Sequence, residues 1–112
     1  MGRGGYLGEF EQVVLLAVAR LDADAYGMRI RAEIEERAGR RASIGAVYAT
    51  LERLVSKGYA RETEVPGGSE RSGLARRFYV LTPGGRAALE DARELQDRMW
   101  AGLKLKAERR KP

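Results

Sequence analysis

Hydrophobic positions recur along this chain with helical spacing in four places and alternate in two. Phe10, Val13, Val14, Ala17, Val18 and Leu21 follow the i, i+3, i+4, i+7 rule and predict a helix from near Gly8 to Phe10 through about Leu21. Leu15 and Leu16 lie off that stripe, so the middle of this helix is apolar all round and must be covered on more than one side. Tyr26, Ile30, Ile34 and Ala38 step by four and predict a second helix from near Asp24 that stops at Gly39. A third helix runs between two end signals: Ser43 as N-cap and Gly58 as the left-handed residue that ends it. Tyr59 to Val65 and Arg76 to Leu81 alternate and are rich in β-formers, which predicts a hairpin. Its ten-residue loop, 66–75, is rich in turn formers and too long for a tight turn, so its tip is expected to move. Thr82 then Pro83 marks a final N-cap, and Ala88, Leu89, Ala92, Leu95, Met99 and Leu103 predict a helix of about 25 residues.

The third helix carries the strongest functional signal. At about 100° per residue, Ile44, Val47, Leu51, Leu54 and Val55 form a core side, and Ala46, Ala49, Thr50, Arg53 and Lys57 an outer side. Gly45, Ala46 and Ala49 allow a close backbone approach, while Arg53 and Lys57 offer donors to phosphate or guanine. The same face also suits plain solvation. Two helices followed by a third of this kind, then a hairpin with Arg71, Arg76 and Arg77 on or beside it, is the order of a winged helix-turn-helix DNA reader. Solvated arginines on an ordinary hairpin would look alike.

Composition narrows the chemistry. The 112 residues make one domain, and a chain this short buries only about 65% of its unfolded surface, so a partner subunit would help. With neither cysteine nor histidine there are no disulfides, thiol nucleophiles, usual zinc sites or histidine acid–base groups, and no paired-carboxylate motif stands out. The chain reads as a non-enzyme without a cofactor. Of the net charge of +5, the basic excess lies in residues 37–57 (Arg37, Arg40, Arg41, Arg53 and Lys57 against Glu52) and in the tail 104–112, as a polyanion footprint would be laid out. The tail also suits a solvated helix end. The apolar run Val13 to Ala19 is too short to span a bilayer and is preceded by Glu9 and Glu11 rather than by positive charge, so a cytosolic location is expected.

Four segments together resemble the PadR family of winged-helix transcriptional regulators: residues 7–17, Ala25-Tyr-Gly-Met-Arg-Ile30, Ser43-Ile-Gly-Ala-Val-Tyr-Ala-Thr-Leu-Glu-Arg-Leu54, and Arg76-Arg-Phe-Tyr-Val-Leu-Thr-Pro-Gly-Gly-Arg86. The resemblance implies a mainly α fold with a small β-hairpin, with residues 1–82 the DNA-binding unit and 83–112 a dimerisation helix with a basic tail; Gly2, Gly4 and Gly5 mark residues 1–7 of the first unit as a flexible arm. It further implies a homodimer that binds double-stranded DNA at a near-palindromic operator and represses transcription. On that basis Ser43, Ala46, Ala49, Thr50 and Arg53 are expected at base edges, and Tyr48, Lys57, Arg71, Arg76 and Arg77 at phosphates or the minor groove. Val14, Leu15, Val18, Leu89, Ala92, Leu95, Met99 and Leu103 are expected at the subunit seam. A single C-terminal helix is similar to the short subfamily, in which a planar aromatic effector can sit beside a tryptophan, here Trp100; simple interface packing is the other reading of that residue. Many members carry proline after the tyrosine of the third helix, where this chain has Ala49. The rival reading of the whole is a winged helix that binds protein instead of DNA.

Overall fold

A computed structural model describes residues 6–65 and 76–106. Along the chain it places α1 (Glu9–Leu21), a single 3-10 turn (Asp22–Asp24), α2 (Gly27–Ala38), α3 (Ile44–Ser56), β1 (Ala60–Val65), β2 (Arg76–Leu81) and α4 (Pro83–Trp100). The whole hairpin loop (66–75), with the tip expected to move, the first five residues of the arm and residues 107–112 of the basic tail lie outside the described residues.

Three capping devices set the helix starts. The amide of Gly8 donates to Glu11 Oε1 at 2.8 Å, half of a capping box whose other half a glycine cannot supply. The Ala46 amide donates to Ser43 Oγ at 3.0 Å, and the Gly85 amide to Thr82 Oγ1 at 3.0 Å. Gly58, at φ 81°, ends α3 in the left-handed region that side chains avoid, and its amide donates to the Val55 carbonyl.

The core lies among α1, α2, α3 and the root of the hairpin: Val14, Leu15, Val18, Ile30, Ile34, Val47, Leu51, Leu54, Ala60 and Tyr79 are buried there. β1 and β2 pair antiparallel, Ala60 opposite Leu81 and Glu62 opposite Tyr79, so Ala60 and Tyr79 share the face that packs on the helices. α4 leaves the hairpin at Gly85, where a Cβ would collide with the Tyr59 carbonyl oxygen, so this position needs the smallest residue.

Two helix boundaries differ from the periodicity. α2 starts at Gly27 and not near Asp24, because Ala25 and Tyr26 run beside β2: the Tyr79 amide donates to the Ala25 carbonyl at 2.9 Å, and Tyr26 forms a bridge with Phe78 and packs its ring edge-on against that residue at 5.4 Å. α4 has 18 residues instead of about 25, since Ala101 is extended and Gly102 is left-handed at φ 76°. Leu103 therefore lies beyond the helix.

Candidate nucleic-acid interface

Buried positions on α3 are Val47, Thr50, Leu51 and Leu54, with Ile44 and Val55 at the edge of the core. The exposed arc is Gly45, Ala46, Tyr48, Ala49, Glu52, Arg53 and Ser56, centred near Ala49 and Glu52. Thr50, expected to face a base, is only 2% exposed. It stands about 40° from Leu54 on the helical wheel, at the edge of the core side next to Arg53 and Lys57, and its hydroxyl accepts from Arg53 Nη2 at 3.2 Å. An added Cβ on Gly45 would meet nothing within 4 Å, so the first turn of α3 is open to a partner.

Arg53 and Lys57 sit on the flank that turns toward α1, where both meet Glu11. Arg53 Nε is 3.3 Å from Glu11 Oε2, and Lys57 Nζ is 3.0 Å from each Glu11 oxygen and 3.2 Å from the Tyr6 carbonyl oxygen. The Glu11 side chain is 9% exposed. Burial pushes its carboxyl up, but the Gly8 amide, the Lys57 ammonium and the Arg53 guanidinium outweigh that, and the group rests below the ordinary value of 4.5. The Lys57 ammonium thereby has three internal oxygens within hydrogen-bond reach, bonds it would have to leave to meet a phosphate. The signal for Glu11 was present in the spacing: it precedes Val14, Leu15 and Val18 by three, four and seven, an acid on the buried stripe.

On the opposite flank, the Tyr48 ring covers Gly27 so closely that a Cβ there would run into its hydroxyl. The residue thus locks α3 onto the start of α2 while remaining 39% exposed. Arg77 pairs with Glu62 across the hairpin at 3.2 Å. On the same face, burial first and then Glu62 and Tyr48 push the Tyr79 hydroxyl up, with Arg77 opposing. Arg41, just before α3, and Arg61 on β1 are exposed and make no ion pair among the described residues. Glu52, at the centre of the open face, is an acid that the reading of small and basic residues passed over. Arg71 lies outside the described residues, and of Arg76 only the backbone is described, at the start of β2.

The second expected surface is partly a correction. Val14, Leu15 and Val18 fill the core of this same chain and have no surface left to offer a second copy. The buried side of α1 is Glu11, Val14, Leu15, Ala17 and Val18, about one residue round from the predicted stripe, and Leu16 is the large apolar residue that this helix exposes. Leu89 and Ala92 are half-buried near the root of α4, whereas Leu95, Met99 and Trp100 are 47, 71 and 53% exposed, and Leu103 follows them into solvent. None of the described helices is long and apolar enough to cross a membrane.

Comparison with known proteins agrees with this architecture. The sequence matches the Transcriptional regulator PadR-like family over residues 15–91. A search of curated proteins found no match. Among solved structures, the chain is similar to a PadR family transcription regulator from Clostridium difficile R20291, with 27% identity and a TM-score of 0.61 over 80% of this chain and 90% of that one. It is also similar to the H. salinarum protein RosR in the complex hsRosR-S4, with 26% identity and a TM-score of 0.67 over 88% and 77% of the two chains. F93 from STIV, a winged-helix DNA-binding protein, shares the fold at 20% identity, with a TM-score of 0.69 over 89% of this chain and all of that one. A helix-turn-helix core, a two-stranded wing and a family match across most of the chain agree: the protein belongs to the PadR-like family of winged-helix transcriptional regulators, which are not enzymes.

Proposed function

We propose that this protein is a homodimeric repressor that lays its two α3 helices in successive major-groove turns of a near-palindromic operator. The observation that carries the reading is the open arc of α3: none of the described elements covers it, and its small residues Gly45, Ala46 and Ala49 permit backbone approach. Ser43, Ala46 and Ala49 face the groove floor in this reading, and Arg53, with donors beyond those used internally, is the guanine reader. Tyr48 and Arg77 border the groove, and Arg41 and Arg61, without an ion pair among the described residues, are cations available to phosphate. Glu52 faces the duplex as well, where a carboxylate is tolerated opposite a cytosine amino group.

Dimerisation is supported by the unpartnered stripe of Leu95, Met99 and Trp100 on α4, with Leu16 of α1 exposed as well. In such a dimer the α3 helices lie about 34 Å apart, one turn of duplex. Trp100 near the end of that stripe offers a flat surface to a planar aromatic effector, which would release DNA by altering the angle between the two winged units.

Selection of DNA from a random pool tests the central reading. A palindromic motif with half-sites one helical turn apart, and log affinity falling against log salt by about 0.9 per phosphate neutralised, are the expected results. Binding without sequence preference removes the proposal. For the effector, a planar dye that quenches Trp100 emission must also weaken operator binding by the same coupling energy; quenching alone rejects it.

A further inference from the structure

Glu11 lies on α1, outside α3 and the hairpin, yet it holds both cations of the α3 flank. We infer that Glu11 is a positioning residue for DNA recognition, one that orients Arg53 as a base reader and withholds Lys57 from the phosphates. The inference rests on the DNA-reading function proposed above.

The geometry separates the two cations. Lys57 directs its ammonium to both Glu11 oxygens and to the Tyr6 carbonyl, so a phosphate could recruit it only by breaking those bonds. Arg53 gives Nε to Glu11 and Nη2 to Thr50, two anchors from two helices, and among the described residues its remaining N–H groups have no partner. An arginine free in solvent loses rotamer entropy on meeting a base; one tethered at two points has lost most of it beforehand.

Holding α1 to α3 does not require this cluster. Val14, Leu15 and Val18 already share a continuous core with Val47, Leu51 and Leu54. A buried carboxylate adds desolvation cost to that interface, so packing alone does not account for an acid there. With Glu11, Arg53 and Lys57 all charged, the cluster carries one net positive charge on this flank of α3.

The test uses the DNA that the wild-type protein enriches, with the base pair read by Arg53 identified as the one where Arg53→Ala loses preference. Lys57→Gln is expected to leave the salt slope within a few tenths of wild type, because no phosphate contact is lost. Glu11→Gln is expected to steepen the slope by about 1 as Lys57 is released, and to lower discrimination at the Arg53 base pair about tenfold. In an Arg53→Ala background, Glu11→Gln should change discrimination no further. A slope reduced by about 1 in Lys57→Gln, or undiminished discrimination in Glu11→Gln, overturns the inference. Should Glu11→Gln fail to fold, the Lys57→Gln slope decides. A wild type that enriches no sequence overturns the DNA reading itself, whereas an enriched sequence bound alike by wild type and Glu11→Gln overturns only the positioning role.

Discussion

The body of this protein and its last helix spend their apolar residues in opposite directions. In α1 to α3, Val14, Leu15, Ile30, Val47, Leu51 and Leu54 are wholly buried, and α1, α2 and α3 each pack on the other two. On α4 the buried residue is Gly85, at the root, and the apolar stripe that follows runs outward into solvent. Periodicity alone treats the two alike, since each shows recurrences of three and four. What distinguishes them is whether the chain folds another element back over the stripe. It does so for the first three helices, and α4 projects away from them. A side chain the size of leucine or methionine gains about 1.5–3 kcal/mol on full burial, so the α4 stripe leaves a substantial driving force unused within one chain.

Truncation in each region is the sharpest way to break the contrast. Leu51→Ala should cost about 3 kcal/mol or more of folding stability, read as a lower denaturation midpoint at any protein concentration. On α4 the paired change Met99→Ala with Trp100→Ala should scarcely alter the unfolding of dilute monomer, yet weaken self-association by about 2 kcal/mol in sedimentation equilibrium. If the α4 variant unfolds as easily as Leu51→Ala at every concentration, α4 is not a subunit seam.

Acid sharpens the contrast from another side, because the body holds a buried ion cluster and described α4 pairs only on its surface. Glu11 has a folded pKa below 4.5, so its contribution is fully present above that value and is lost as pH falls through the folded pKa. Glu11→Gln should remove about 1–2 kcal/mol at pH 7 and flatten that part of the acid limb in pH-dependent denaturant melts. Smaller again are the caps: Ser43→Ala and Thr82→Ala should each cost about 1 kcal/mol, with Thr82 the more sensitive because its hydroxyl also donates to the Gly58 carbonyl at 2.7 Å. The smallest effect belongs to the surface of α4, where Arg86→Ala, losing its pair with Glu90, should shift stability by less than about 0.5 kcal/mol in the same melts.

Element identity and order were legible from the residues alone. Ser43 and Thr82 cap where they were expected, Gly58 ends α3, and both hairpin strands lie within the alternating runs. These features are local: a cap reaches three residues, a helical contact four, a strand two. The exposed arc of α3 containing Gly45, Ala46 and Ala49 was legible too, although Thr50 turned inward by a small angular offset.

Tertiary structure alone decided what crosses between elements. Glu11 meets Arg53 and Lys57 across 42 and 46 residues of sequence, and no local rule joins them. Ala25 and Tyr26 gave up a helical turn because the strand of Tyr79 ran beside them and offered backbone partners. Val14, Leu15 and Val18 went to the core of their own chain and not to a neighbour's, because α3 packs against that face of α1. Pattern and caps determine which stretches become helix or strand, since those energies act over one turn. The partner of each face and charge follows from how the helices come to lie in space.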